Sequence, residues 1–210
     1  MKKIIMVRHG ESVTNVSRVF TGQLDVPLTE TGREQARRMA EYMDKYHVDK
    51  IYASPLDRAV DTAQTIAIRQ NCTVETNDAI MEINAGLWQG ITFGEIAENY
   101  PQTYQVWRTD IGSAAPEGGE TCVQLYDRVT GFLQKVLQEP EETVCLVCHA
   151  IPIRMMESYI EAGSLKAAQQ IPWVPNASVT VYGYDGDFHA VEWGTCEYLG
   201  DLLTNLPKTI

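Results

Sequence analysis

The sequence of 210 residues predicts an α/β fold, a three-layer α/β/α sandwich whose mostly parallel central sheet lies between helices. Two observations predict it. Short apolar or β-branched runs alternate along the chain with amphipathic stretches of helical length, which favours parallel strands joined by helices. The run Thr143–Cys148 is apolar almost throughout, which is typical of a strand covered on both faces. Because no repeat or Ser/Gly-rich linker interrupts the pattern, we expect one domain over residues 1–210.

The first strand and the first long helix are predicted within residues 3–46. Lys3–Val7 is short and apolar, as buried strands are. A helix from about residue 30 to residue 46 is predicted because apolar side chains recur there at helical spacing. Thr31 and Glu34 have the spacing of a capping box, which places the start of the helix beside them.

A second strand and helix are predicted directly afterwards. Lys50–Ala53 indicates the strand. Ser54 is a typical N-cap residue and Pro55 a typical first helical residue, so we expect a helix from there to about Gln70.

The second half of the chain predicts two more helices and three strands. Thr121 and Gln124 have capping-box spacing before an amphipathic helix. The strand Thr143–Cys148 precedes another helix. Ser178–Tyr184 and Phe188–Trp193 then predict two strands joined by a tight turn.

The charge of the chain argues against some classes of partner. It contains 28 acidic and 17 basic residues, a formal net charge of −11. An acidic surface repels the phosphates of nucleic acids and anionic membranes, so we expect neither as a partner. No apolar run approaches the roughly 18–20 residues of a membrane-spanning helix, and the first apolar run ends too soon for a signal peptide, so we expect a cytoplasmic protein.

Basic and imidazole side chains follow three of the predicted strands. Arg8-His9-Gly10-Glu11 follows the first strand, Arg58 lies in the first turn of the helix after the second, and His149 follows the strand Thr143–Cys148. Because the carboxyl ends of parallel strands meet at one edge of a sheet, we expect these side chains to lie together. Guanidinium groups and helix N-termini both bind phosphate. The arrangement therefore indicates a phosphate pocket with an imidazole beside the phosphorus atom.

A longer series of motifs makes the chain resemble a known family. The series comprises Arg8-His9-Gly10-Glu11, Asn15, Thr21-Gly22, Ser54-Pro55-Leu56, Arg58-Ala59, Thr62-Ala63, Glu82-Ile83-Asn84, Gly118-Gly119-Glu120, His149 and Arg154. In this order, and spread over most of the chain, it resembles the histidine phosphatase superfamily in its phosphoglycerate-mutase-like branch. The resemblance implies a phosphoglycerate-mutase-like fold with a cap-like insertion at about residues 92–120.

The resemblance also implies a role for each catalytic residue. His9 is the expected nucleophile, which takes the phosphoryl group on an imidazole nitrogen. Arg8, Arg58 and His149 are the expected phosphate clamp. Glu82 is expected to protonate the leaving alkoxide and then to activate water.

Further positions match the family's substrate pocket. Asn15 matches a polar residue near the phosphate, and Gln23 matches a residue on the substrate side. Ala150 stands where the family often has glycine after the second histidine, and we expect it to line the same pocket. Asn176 and Ser178 are candidates for supporting the pocket from behind.

The activity that the resemblance implies is hydrolysis of a small phosphomonoester through a phosphohistidine, without a metal or other cofactor. The alternative is a phosphoglycerate mutase. Residues 92–122 contain one basic residue against five acidic ones, which suits a bisphosphate poorly and favours the phosphatase. A phosphate-binding protein without activity is a further alternative, and a homodimer is left open.

Two local patterns have competing interpretations. Cys145-Leu-Val-Cys148-His149 matches the haem-attachment pattern, but positions i and i+3 of a strand point to opposite faces, which argues against it. Trp88 is expected to pack in the core, whereas packing and substrate contact remain equal alternatives for Tyr100, Tyr104 and Trp107.

Overall fold

The computed structural model describes residues 1–204. Its strands are β1 (Lys2–Arg8), β2 (Lys50–Ala53), β3 (Val74–Thr76), β4 (Thr143–Cys148), β5 (Val179–Tyr184) and β6 (Phe188–Thr195). Its α-helices are α1 (Val13–Ser17), α2 (Glu30–Tyr42), α3 (Asp57–Gln70), α4 (Phe93–Asn99), α5 (Pro101–Thr109), α6 (Cys122–Leu137) and α7 (Ala150–Ala162).

The six strands form one sheet in the order β3-β2-β4-β1-β5-β6. The pairs β3–β2, β2–β4 and β4–β1 are parallel, whereas β5 runs antiparallel to both of its neighbours. The register places Arg8 opposite Cys148, and Ala53 opposite Val147. The carboxyl ends of β1, β2 and β4 therefore meet at one edge, as the sequence predicts.

Alternate residues of the central strands pack into two separate cores. Ile4 and Met6 of β1 belong to the core that α6, α7 and the cap segment (residues 92–120) cover, and Ile5 belongs to the core under α2 and α3. Cys148 belongs to the first of these cores and Cys145 to the second. The two cysteines therefore lie on opposite faces of the sheet, which was the predicted argument against haem attachment. Burial of both faces of the sheet confirms the three-layer α/β prediction.

The caps of two helices differ from the predicted ones, although α2 begins at Glu30 as expected. Thr29 caps α2, since its hydroxyl accepts a hydrogen bond from the Gly32 N–H at 2.9 Å, and Thr31 already lies inside the helix. The capping box at Thr31 is therefore wrong. α3 begins at Asp57 with Leu56 as its N-cap, not at Pro55 after Ser54. The Ser54 hydroxyl contacts the His149 ring instead, so it does not cap the helix.

The capping box of Thr121 and Gln124 is confirmed at the start of α6. Sequence reasoning missed α1 and β3, which have five and three residues and are too short to show a period. Within residues 1–204, no helix combines the length and apolar character needed to cross a bilayer.

Candidate active site

A cavity of about 110 Å³ opens at the carboxyl edge of the sheet. The expected site residues that line it are Arg8, His9, Asn15, Arg58, Glu82 and Ala150. His149 lies directly behind them, fully buried, with its ring centroid 5.1 Å from that of His9. The parallel register explains the convergence, because the residues that follow β1 and β4 are neighbours across the ladder.

His9 is held in one orientation. Its Nδ1 lies 2.6 Å from the Gly10 carbonyl oxygen, and only a protonated Nδ1 can donate to that acceptor. The Nε2 atom therefore carries the lone pair. Burial, together with the positive charges of Arg58 and Arg8, holds the pKa of His9 well below its ordinary value, so the ring is neutral at neutral pH.

Gly10 makes this turn compatible with close packing. A Cβ at this position would lie 2.4 Å from the Gly32 carbonyl oxygen, a distance that no side chain tolerates. The Gly10 N–H donates to the Thr62 hydroxyl at 3.1 Å, and Thr62 in turn donates to the Arg58 carbonyl at 2.7 Å. The turn after β1 is thereby tied to the first residues of α3.

The two guanidinium groups are anchored by backbone carbonyls. Arg8 donates to the Val174 carbonyl at 2.7 Å, and Arg58 donates to the carbonyls of Gly22 and Leu24, each at 2.8 Å. Both side chains are almost fully buried, and burial lowers their pKa values, that of Arg8 to about 10. They remain cations at neutral pH. The Arg8 Nε is a buried donor without a hydrogen-bond partner in residues 1–204.

His149 is held by Ser54, whose Oγ lies 2.8 Å from the His149 Nε2. The other ring nitrogen, Nδ1, is buried and has no partner within the described chain. Burial is the main cause that lowers the pKa of His149 well below its ordinary value, and the charge of Arg58 adds to it. This ring, too, is neutral at neutral pH.

Glu82 also lines the cavity and lies in the segment that follows β3. Burial raises the pKa of its carboxyl group above the ordinary value, although the Ile83 N–H at 2.9 Å, Arg58 and Arg8 act in the opposite direction. A carboxyl group whose pKa is raised keeps its proton to higher pH and can donate it.

The backbone of Glu82 is clamped from two sides. Its carbonyl accepts from the Gln23 side chain and from the Arg128 guanidinium, each at 3.0 Å. Arg128 also pairs with Glu120, at 2.6 Å, and so links this segment to the end of the cap. Gln23 was expected on the substrate side of the pocket, but it does not line the cavity. Its side-chain amide donates to the Glu82 carbonyl instead.

Asn176 and Ser178 lie beneath the site. The Asn176 amide donates to the His9 carbonyl at 3.1 Å and to the Asn15 side chain at 3.2 Å, and it reaches the cavity wall. Ser178 is buried, and its carbonyl accepts from the Arg8 N–H at 3.3 Å. Both residues support the turn after β1 from behind.

The cap segment supplies part of the cavity wall. Trp88 is fully buried and donates to Glu117 at 2.8 Å, which confirms its packing role. Tyr100 and Tyr104 pack against Trp88, with ring centroids 6.5 and 6.1 Å away, and do not line the cavity within the described chain. Trp107 packs on Phe20 and Trp88 and also lines the cavity, so both alternatives stay open for this residue.

Three of the acidic side chains of the cap are engaged in contacts outside the cavity. Glu95 caps α4 through Thr92, Glu117 accepts from Trp88, and Glu120 pairs with Arg128. None of the five acidic side chains between residues 92 and 122 lines the cavity in the described chain. The net charge of the cap is therefore a poor guide to the charge that a substrate meets.

Sequence reasoning missed several residues at the site, and four of them show why. Ser54 was assigned to a helix cap, and Arg128 gave no motif. Arg18 is exposed and lines the mouth of the cavity. Trp173 lines the cavity with the Arg154 guanidinium 4.2 Å from its ring centroid. Only a tertiary contact distinguishes these side chains from ordinary surface or cap residues.

Comparison with known proteins agrees with this geometry. The model of the histidine phosphatase superfamily (branch 1) matches residues 4–195. Phosphoserine phosphatase 1 of Hydrogenobacter thermophilus is 39% identical over 157 residues, which cover 74% of each chain. A 2,3-bisphosphoglycerate-dependent phosphoglycerate mutase of Cytophaga hutchinsonii is 33% identical over 168 residues, 77% of this chain and 78% of that one.

A solved structure extends the likeness to the fold. The structure of mycobacterial glucosyl-3-phosphoglycerate phosphatase in complex with VO3 superposes with a TM-score of 0.84 and 28% identity, covering 92% of this chain and 99% of that one. The chain therefore belongs to the histidine phosphatase superfamily (branch 1) and is a phosphatase.

Proposed function

We propose that this phosphatase hydrolyses monoesters of small phosphorylated metabolites through a phosphohistidine on His9, without a metal ion. In the first step the His9 Nε2 attacks phosphorus, the ester P–O bond breaks, and the leaving oxygen takes the proton of Glu82. In the second step the Glu82 carboxylate takes a proton from water, whose oxygen attacks phosphorus. The P–N bond then breaks, and inorganic phosphate leaves.

One observation carries the proposal: three buried side-chain nitrogen atoms at the cavity have no hydrogen-bond partner within residues 1–204. These are the Arg8 Nε and the Trp107 Nε1, on residues that line the cavity, and the His149 Nδ1, behind it. Buried polar groups are nearly always hydrogen-bonded, so unpaired nitrogen atoms around one pocket fit a ligand with several acceptor oxygens. The phosphoryl oxygens, whose charge grows during transfer, supply the missing acceptors.

The side chains present can provide the charge that a metal ion provides in other phosphatases. Arg8 and Arg58 are fixed cations at the cavity, and fixed cations stabilise the transferring phosphoryl group without reorganisation. Within residues 1–204, no group of three or more His, Cys, Asp or Glu side chains could hold a metal ion. We therefore expect full activity in the presence of a chelator.

Hydrolysis is favoured over mutase activity by the cations of the cavity rather than by the charge of the cap. Beyond Arg8 and Arg58, the only Lys or Arg side chain that lines the cavity in the described chain is Arg18, and it is exposed. A bisphosphate brings a second dianionic group, which a single solvated guanidinium matches poorly. One phosphoryl group is well matched.

The test is a phosphate-release screen with ethylenediaminetetraacetate present throughout. The panel contains p-nitrophenyl phosphate, alkyl and sugar phosphates, phosphoserine, glucosyl-3-phosphoglycerate and 3-phosphoglycerate, ranked by kcat/KM. We expect metal-independent release of inorganic phosphate. Interconversion of 2- and 3-phosphoglycerate with a bisphosphate primer, in place of phosphate release, would overturn the proposal in favour of a mutase. Stoichiometric phosphate binding without turnover would favour a binding protein.

A further inference from the structure

The Ser54 hydroxyl is fully buried, and its hydrogen bonds can be accounted for completely within the described chain. Its Oγ has two neighbours, the His149 Nε2 at 2.8 Å and the Leu56 N–H at 3.4 Å. A backbone N–H can only donate. The single acceptor available to the hydroxyl proton in residues 1–204 is therefore the His149 Nε2.

This accounting decides between the two neutral forms of the His149 ring. If Nε2 carried the proton, the Ser54 oxygen would accept twice, and its own proton would be buried without a partner, which is costly. If Nδ1 carries the proton, Ser54 donates to Nε2, and the Nδ1–H is the one group left to pair with a ligand. We propose that Ser54 is a positioning residue that fixes the proton of His149 on Nδ1, so that His149 meets the phosphoryl group as a neutral hydrogen-bond donor.

The fold holds Ser54 in place for this role. The Ser54 N–H donates to the Val147 carbonyl at 2.9 Å, which continues the parallel ladder between β2 and β4 beyond Ala53. Ser54 and His149 therefore follow neighbouring strands at the same level of the sheet. The His149 Nδ1 is the buried nitrogen without a partner described above, and it is the atom to which the inferred tautomer gives the proton.

The inference rests on the proposed function for its catalytic consequence but not for the position of the proton. A neutral donor can bind the phosphoryl oxygens without adding a third positive charge to a pocket that already holds Arg8 and Arg58. A cationic His149 would also compete with Glu82 as proton donor. In the proposed tautomer, His149 donates a hydrogen bond to the phosphoryl group, and Glu82 alone transfers a proton to the leaving group.

The experiment reads the tautomer directly by two-bond ¹H–¹⁵N correlation spectroscopy of the histidine rings. The chain contains four histidines, and His149→Gln identifies the signals of His149 by their loss. In the wild-type protein at neutral pH we expect a protonated Nδ1 and an unprotonated Nε2 for His149. In Ser54→Ala we expect a mixture of tautomers, and kcat/KM for an alkyl phosphate lower by about tenfold.

Ser158→Ala is the matched control. Ser158 is a fully buried serine of α7 whose hydroxyl donates to the Met155 carbonyl at 2.8 Å, so its loss destabilises the fold without touching the site. We expect its His149 signals and kcat/KM to equal those of the wild type. Ser54→Thr, which keeps the hydroxyl, should restore the wild-type tautomer.

Three outcomes would overturn the inference: a proton on Nε2 in the wild type, a cationic ring at neutral pH, or unchanged signals and kcat/KM in Ser54→Ala. Failure of the proposed function looks different, because it is an absence of wild-type turnover. The spectrum reports the tautomer whether or not the protein turns over.

Discussion

Glu82 and Glu157 are two buried carboxyl groups in different surroundings, one facing α7 and the other part of it. Glu82 faces the first turn of α7 and lines the cavity, with Arg8 and Arg58 as its charged neighbours. Glu157 lies in the second half of α7, fully buried, and neither of its oxygens has a hydrogen bond of ordinary geometry in residues 1–204. Burial is the main cause that raises the pKa of both groups, that of Glu157 to about 8.

The difference shows which features make a buried carboxyl group useful. Both groups hold a proton at a pH where an exposed glutamate has lost it. Only Glu82 lies with that proton at an open cavity that two cations and the neutral His9 ring also line. A raised pKa therefore indicates a proton donor only where the geometry gives the proton a destination.

The largest expected loss of activity follows from removing the His9 imidazole. His9→Ala removes the atom that forms the covalent intermediate, so we expect kcat/KM to fall by at least about 10⁴-fold for every substrate. Binding of inorganic phosphate should persist, since Arg8 and Arg58 are untouched. The measurements are phosphate release and phosphate titration. Substantial turnover in the purified variant would contradict the assignment of the nucleophile.

The next effect tests Glu82 as a proton donor. In Glu82→Gln we expect kcat for an alkyl phosphate to fall by about 10²–10⁴-fold, because the alkoxide leaves without a proton. The loss should be much smaller for p-nitrophenyl phosphate, whose leaving group is stable as an anion. Equal losses for both substrates would show that Glu82 supports binding or structure instead.

The pH profile supplies a second test of the same residue. Activity requires a protonated Glu82 for the first step, so kcat for an alkyl phosphate should decline as pH rises through the raised pKa of Glu82. Burial and the charges of Arg58 and Arg8 hold the pKa of His9 well below its ordinary value, so the acid limb should lie well below the ordinary pKa of a histidine. Glu82→Gln should abolish the alkaline limb. An unchanged limb would assign it to another group.

The comparison predicts a third, smaller effect, on stability alone. A protonated Glu157 is compatible with burial, whereas the unfolded chain loses that proton above its ordinary pKa near 4.3. The contribution of Glu157 to stability is therefore fully present below about pH 4 and is lost as pH rises toward 8. The slope contributed by one group is at most about 1.4 kcal/mol per pH unit.

Glu157→Gln should remove this slope and leave kcat/KM unchanged. Urea denaturation at several pH values between 5 and 8 measures the free energy of unfolding of both proteins. The difference between them should grow with pH in favour of the variant. Glu161 and Arg154 are the charged neighbours of Glu157, and they are the same in both proteins. A loss of activity in this variant would contradict the claim that Glu157, unlike Glu82, has no role in catalysis.

Sequence reasoning predicted the parts of the site that strand ends determine. His9, Arg58 and His149 each follow a strand, and the rule that ligands bind at the carboxyl ends of parallel strands placed them together. The roles of these residues stay predictions from the family resemblance. The two cores were also predictable, because the apolar run Thr143–Cys148 required cover on both faces.

The features of the site that sequence reasoning did not predict depend on contacts between distant segments of the chain. Ser54 has the local signature of a helix cap, yet the His149 ring, 95 positions away, takes its hydroxyl. Gln23 and Arg128 meet only at the Glu82 carbonyl. The net charge of the cap also says little about the cavity, because Glu95, Glu117 and Glu120 are engaged in capping and pairing. Local propensity and composition do not contain such information.

The most direct test of the account is to trap the covalent intermediate. Wild-type protein is mixed with a ³²P-labelled phosphomonoester in the presence of chelator, quenched in alkali within milliseconds, and digested for peptide mapping. We predict label that is stable in alkali, labile in acid and attached to His9, with none in His9→Ala. Turnover without any protein-bound label, or label on another residue, would contradict the phosphohistidine mechanism.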